Sequence, residues 1–337
     1  IGPDANAHTG FDETVYDILL PDGDRASIEK GLLVLRDYAD GALLLPAEID
    51  RERKVILAEK RTRDSAAYRT FEASFQFSFG DARIARRLPI GLAEVIEKAG
   101  RAELEDYYET WYRPERMVLV MVGDFDLPQA ASAIQERFAS LTARRTPQPD
   151  PDPGQPENSG ERFFHHFEKE AGKTRVSIEV LSRADEEADS AALRHRELLE
   201  EMADRMVQNR LDTLLGEPET PFTAARVGSG RYLGHFDYAE ISADCDPQKW
   251  AEALSQIEQV LRQALAHGFT VAELDRVKKD FQSELNKALE QAGTRDSRDL
   301  ARSIIRSVNT GRVFTSPAQE KSLLSDAVQA ATPESVA

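Results

Sequence analysis

Two duplicated domains, each mixing β-strands with α-helices, are what this sequence predicts. Three observations lead there. The chain has 337 residues, and at about 100–200 residues per domain that is two domains. Residues 146–160 read TPQPDPDPGQPENSG, with five prolines and no large apolar side chain. A stretch of that composition is expected to stay extended and unpacked, so it marks a linker between domains at 1–145 and 161–337. The words Ala47-Glu48-Ile49-Asp50-Arg51 and Ala272-Glu273-Leu274-Asp275-Arg276 recur at a constant offset of 225.

In the first half, Thr14 to Leu20 alternates in part and carries branched residues, which predicts a strand ended by the turn Pro21-Asp22-Gly23-Asp24. From Ala26 to Gly41 the apolar positions Ile28, Leu32, Leu35 and Ala39 keep helical spacing, with Gly41 as the C-cap. Pro46 opens a second helix that runs to about Arg63. Phe71, Phe75 and Phe79 suggest a helix within 65–87, Arg101 to Tyr112 another stopped by Pro114, and Leu127 to Leu141 a further one. The apolar run Met117 to Val122 has strand length and ends at Gly123-Asp124.

The second half repeats this grammar. Strands are expected at Thr174 to Leu181 and Tyr238 to Ala243. Helices are expected at Ala191 to Leu215, Pro247 to His267 stopped by Gly268, Val271 to Gln291 and Arg298 to Val308. Under the 225 offset Glu59 matches Glu284, while Glu52 matches Val277, so the copies diverge at one carboxylate.

Composition narrows the function. Hydrophobic residues at 41% and charged residues at 31% fit a globular chain, and no apolar run approaches the roughly 20 residues of a membrane span. A net charge of −17 without a basic cluster argues against nucleic acid as a partner. The single cysteine, Cys245, has no intrachain disulfide partner and reads as a small residue in or beside a strand. The six histidines lie in neither H-E-x-x-H nor H-x-x-E-H spacing. Glu52 and Glu59, seven residues apart on one predicted helix, share a face. Spacing alone leaves two readings open: a solvated face on which Glu59 pairs with Arg63, or a metal ligand with a supporting carboxylate.

Several ordered motifs carry a resemblance. Gly2-x-x-x-Asn6-Ala7-His8-Thr9 followed by Phe11-Asp12-Glu13-Thr14-Val15-Tyr16, then Ala47-Glu48-Ile49-Asp50-x-Glu52-Arg53-x-Val55-Ile56-x-x-Glu59, then Arg87-Leu88-Pro89-Ile90-Gly91, Trp111-Tyr112-Arg113-Pro114 with Met117, and Gly123-Asp124 stand in sequence. Together they resemble the insulinase/pitrilysin family of zinc metallopeptidases, inverted zincins, and fit domains one and two of a large bacterial member. The resemblance covers residues 1 to about 141 closely and 162–337 more loosely, as the second, non-catalytic domain. It implies an α+β fold: two homologous domains, each a mostly antiparallel sheet with helices on one face. It implies that Glu59 is a zinc ligand, that Glu52 is the carboxylate supporting the site, and that Asn6, Ala7, His8 and Thr9 offer a strand edge to a peptide substrate.

The family's H-x-x-E-H helix is expected shortly before Gly2 and is not in this sequence. The implied function is therefore that of a parent zinc endopeptidase acting on unfolded peptides or small proteins. This chain alone is expected to be inactive and to bind no zinc tightly. Its expected partners are a peptide and either a missing C-terminal half or a homologous subunit. The alternative is a non-catalytic member that binds peptides or assembles with an active partner. The periplasm is the expected compartment, with the cytoplasm as the alternative.

Overall fold

The computed structural model describes residues 5–156 and 160–337. Gly2 of the first motif and residues 157–159 of the linker lie outside the described residues. In chain order the elements are β1 (Ala5–Thr9), β2 (Thr14–Ile18), α1 (Arg25–Asp40), α2 (Pro46–Arg63), α3 (Ala66–Phe79), α4 (Ala93–Lys98), α5 (Arg101–Trp111) and α6 (Leu127–Phe138). They continue with β3 (Thr174–Arg183), α7 (Ala191–Leu215), β4 (Phe222–Tyr232), β5 (Phe236–Cys245), α8 (Trp250–His267), α9 (Val271–Glu290), α10 (Ser297–Asn309) and α11 (Pro317–Ala330). Two compact units result, one drawn from 1–69, 82–154 and 296–305, the other from 70–81, 155–295 and 306–337.

The first unit is built on the β1–β2 hairpin, which pairs Ala5 with Ile18 through Thr9 with Thr14. Asp24 caps α1 by accepting from the Ser27 N–H at 2.7 Å. Gly23 is needed in the preceding turn, because a Cβ there would stand 2.1 Å from the backbone oxygen of Asp124. The landmark Gly123-Asp124 is thus a packing contact.

The second unit holds the three-stranded antiparallel sheet β3–β5–β4. Thr223 is the extra residue of a bulge in β4, and its hydroxyl donates to the Asp244 carbonyl at 3.2 Å. One face of the sheet, carrying Phe222, Ala225, Ile241, Ala243 and Cys245, packs on α7 and α8 through Val207, Leu211, Ile257 and Val260. A second line of α7, Leu198, Met202 and Met206, packs on Leu274, Val277 and Phe281 of α9 and Val328 of α11. A helix apolar on two sides is a helix buried between layers, and Met202, Met206 and Leu211 are fully buried. Each such side chain contributes roughly 1.5–3 kcal/mol.

The offset of 225 is structural as well as textual. It carries Arg25 to Trp250 and Pro46 to Val271, the first residues of α1 and α8 and of α2 and α9. The two copies share a hairpin followed by two helices, which is the α+β duplication the sequence predicts.

Two expectations need correction. Residues 117–122 form no strand among the described residues. The run is half-buried to exposed, with Val118 64% exposed, and it has no ladder partner. Apolar, branched composition favours extension, but a strand exists only by pairing. The proline-rich stretch does pack where it meets the first unit: Asp150 pairs with Arg116 at 2.6 Å, and the Pro153 carbonyl accepts from the Ile84 N–H at 3.3 Å. Gly154 (φ +91) lies so close that a Cβ would be 2.8 Å from the Ala82 Cα. Backbone groups and a glycine make this contact, so it needs no large apolar side chain.

Candidate active-site elements

The four residues Asn6, Ala7, His8 and Thr9 form most of β1, and every residue of that strand is exposed. One edge of β1 pairs with β2; the other has no strand beside it among the described residues. The Gly10 N–H donates to the Glu13 carbonyl at 2.9 Å, so 10 and 13 are a hydrogen-bonded pair. In an antiparallel ladder such pairs alternate with non-bonded ones. Along the register, His8/Val15 and Asn6/Asp17 are then the bonded pairs. The backbone N–H and C=O of Ala5, Ala7 and Thr9 turn to the open edge.

Side chains beneath the hairpin fix its position. Tyr16, opposite Ala7, has its hydroxyl 2.6 Å from that of Tyr112 and its ring 4.8 Å from Tyr38. Burial pushes the Tyr112 phenol well above its usual range, and the hydrogen bond to Tyr16 adds to the shift. Tyr108 continues the cluster, its ring tilted at 4.6 Å from that of Tyr112 and its hydroxyl donating to the Tyr38 carbonyl at 2.7 Å. The neighbouring Arg113 is buried, donates to Glu115 at 2.6 Å and also reaches the Arg145 carbonyl. The Trp-Tyr-Arg-Pro motif therefore props the hairpin and anchors the chain that follows α6. His8 has a charged neighbour in reach, its Nε2 lying 3.5 Å from Glu13.

Glu52 and Glu59 lie on α2, a helix of 18 residues none of which is buried. The helix is held along a single line. Arg53 donates to the carbonyls of Ile96 and Ala99, and Lys60 to that of Gly91 at 3.1 Å. Gly91 ends the Arg-Leu-Pro-Ile-Gly motif with φ +79, a conformation that favours glycine. Away from that line stand Glu52, Val55, Ile56 and Glu59, all exposed. Glu59 pairs with Arg63 at 2.5 Å, as its i,i+4 spacing allows, and Glu52 lies 3.4 Å from Arg51.

Among the described residues no three His, Cys, Asp or Glu side chains converge as a metal site. A catalytic zinc takes three protein ligands and an open position. Glu59 offers one carboxylate, and among the described residues no set of three possible ligands stands with it.

The sequence profile described as the peptidase M16 inactive domain matches residues 98–281, more than half of the chain. The chain belongs to the peptidase M16 family. It is 26% identical over 339 residues to a protein of Escherichia coli named as a probable zinc protease PqqL, covering all of this chain and 36% of that one. It is 28% identical over 178 residues to a zinc protease PQQL-like protein of Arabidopsis thaliana, covering 52% of this chain and 19% of that one. The crystal structure of the first half of the periplasmic protease PqqL of E. coli superposes with a TM-score of 0.88 at 26% identity, over 99% of this chain and 71% of that one. The chain spans about a third of the length of the E. coli relative. These M16 relatives place the chain within the insulinase-type resemblance drawn from its motifs.

The motifs pointed to segments of β1 and α2 but not to the contacts that support them. Tyr16, Tyr112, Arg113 and Gly91 were visible as landmarks, but the contacts they make join residues 31 to 96 positions apart, which no local pattern encodes.

Proposed function

We propose that the protein containing this chain is a zinc endopeptidase of the M16 family that holds unfolded peptides or small proteins as an added strand on β1. Glu59 is the zinc ligand from this chain, and Glu52 supports it. The observation that carries this reading is the bare face of α2. Under the offset of 225, Ile49, Glu52 and Ile56 correspond to Leu274, Val277 and Phe281, which are buried against α7 and α11 in the second copy. In α2 the same face is open, and it bears a carboxylate where the second copy has a fully buried valine. A helix bearing H-x-x-E-H, supplied by a part of the protein outside this chain, fits that face. The domain limits 1–145, 146–160 and 161–337 belong to the same reading, and the division into two units supports them.

On this reading the isolated chain neither binds zinc tightly nor hydrolyses peptides. Its partners are the peptide and the remaining part of the protein or a homologous subunit. A periplasmic location follows the description of PqqL, and cell fractionation checks it. A second reading, a non-catalytic subunit that binds peptides, is favoured by the match to an inactive-domain profile. The deciding experiment measures zinc content and cleavage of a quenched unfolded peptide by the full-length protein and its Glu59→Gln variant. The proposal expects one zinc, activity, and loss of both in the variant. A full-length protein without zinc or activity establishes the second reading instead.

A further inference from the structure

We propose that the β1 edge selects a basic residue in the added peptide strand, and that Asp17 reads it. The inference rests on the reading above that a peptide adds to β1, and it names which peptide fits. The two faces of the hairpin differ. Residues directly opposite across a ladder point their side chains to the same side of the sheet. Ala7 and Tyr16 are one such pair, and Tyr16 meets Tyr38 of α1 and Tyr112, so that side is turned to the helices. Asn6 with Asp17, and His8 with Val15, occupy the other side. There Asn6 and His8 are exposed, and Val15 and Asp17 half-buried. Residues 5–18 carry three carboxylates, Asp12, Glu13 and Asp17, and no lysine or arginine. Glu13 already faces His8. Asp17 makes no ion pair among the described residues.

The register fixes where a charge is read. The backbone groups of Asn6 and His8 are turned to β2. Toward the open edge these two residues therefore stand at the non-bonded positions of an antiparallel peptide. In such pairs the Cα atoms are about 4.5 Å apart and the side chains are at their closest. A peptide residue opposite Asn6 thus begins a row that runs from the peptide over Asn6 to Asp17. Strands are spaced about 4.8 Å apart, so Asp17 lies two spacings, about 9.6 Å, from the peptide backbone. A lysine or arginine side chain is long enough to cross the short Asn6 and bring its charge to the carboxylate. A glutamate in the same place meets like charge. The next row, two residues along, runs over His8 to Val15 and ends on an apolar side chain, so it carries no such preference. The net charge of −17 acts in the same direction, drawing basic peptides toward the chain.

The test measures binding rather than cleavage. Labelled peptides of Ser, Thr and Val holding a single central Arg, Gln or Glu are titrated with the full-length Glu59→Gln protein by fluorescence anisotropy. Salt is kept at about 0.05 M so that screening is weak. The expected order of affinity is Arg, then Gln, then Glu, with about two- to fivefold between Arg and Gln from one partly exposed ion pair. Asp17→Asn should remove the difference between Arg and Gln, and Asp17→Lys should invert the order. Asp185→Asn, which alters an exposed carboxylate of the second unit, should change nothing. Circular dichroism confirms that each variant is folded, and a gain in binding of the Glu peptide by Asp17→Lys cannot come from an unfolded protein. Equal binding of the three peptides, weakened by Ala7→Pro, overturns this proposal and leaves strand addition standing. An unchanged preference for Arg in Asp17→Asn overturns it as well. Absence of binding by all three peptides overturns strand addition at β1, and this inference with it. Whether the wild-type protein hydrolyses peptides does not enter the readout.

Discussion

Proline scanning of β1 separates the two edges of one strand. At Ala7 the backbone N–H faces the open edge, so Ala7→Pro removes a donor that an added peptide strand would use and leaves the ladder to β2 intact. At His8 the N–H belongs to the bonded pair with Val15, so His8→Pro breaks the hairpin itself. One lost backbone hydrogen bond is worth about 1 kcal/mol net, roughly a fivefold change in an equilibrium constant. Peptide cleavage by the full-length protein with Ala7→Pro should therefore show KM raised about fivefold, with kcat less affected and the melting temperature unchanged. His8→Pro should lower the melting temperature as well, since Tyr16 and Tyr112 then lose a fixed hairpin to pack against. Equal KM values for wild type and Ala7→Pro would refute strand addition at this edge.

Three further outcomes follow from the contacts described. Glu273, at the third position of α9, accepts from Thr270 and pairs with Arg210 at 2.6 Å, which holds its carboxyl down to about 2. Its folded value lies below the ordinary one of about 4.3, so the stabilisation is present above about pH 4.3 and fades as pH falls toward 2; Glu273→Gln should cost about 2 kcal/mol in urea unfolding at pH 7 and less than half that near pH 3. Gly23→Ala forces a Cβ against the Asp124 oxygen and should destabilise by about 2 kcal/mol, read as a lower thermal midpoint, while Gly228→Ala, with open space around it, should not show that clash. Tyr112→Phe removes the 2.6 Å contact with Tyr16 and should cost about 1 kcal/mol, measurable by chemical denaturation.

Periodicity carried most of the helices. Leu199, Met202, Met206, Val207, Leu211 and Leu214 place α7 because a long run of apolar residues at helical spacing announces itself locally, and the helix spans the predicted residues Ala191–Leu215. Strand β4 was not legible: Arg226, Gly228 and Gly230 interrupt its alternation, and its pairing with β5 supplies what local propensity does not. The start of α11 did carry a signal that went unread. Ser316-Pro317-Ala318-Gln319 is a capping box with proline at the first turn, and the structure shows both of its hydrogen bonds. Of the candidate site, the residues on β1 and α2 were named from motifs. The open edge of β1 and the bare face of α2 are statements about what lies beside an element, and a linear sequence does not contain them.

The open edge has a cost in solution. A strand that can accept a foreign peptide can also accept its own copy. Natural sheets guard such edges with lysine, proline or a bulge. Strand β1 reads Ala-Asn-Ala-His-Thr, in continuous register, with none of these. Two molecules of the chain can therefore align β1 against β1 across a twofold axis, using the outward groups of Ala5, Ala7 and Thr9. Preparations should become more associated as concentration rises, and a saturating peptide ligand should return them to monomers.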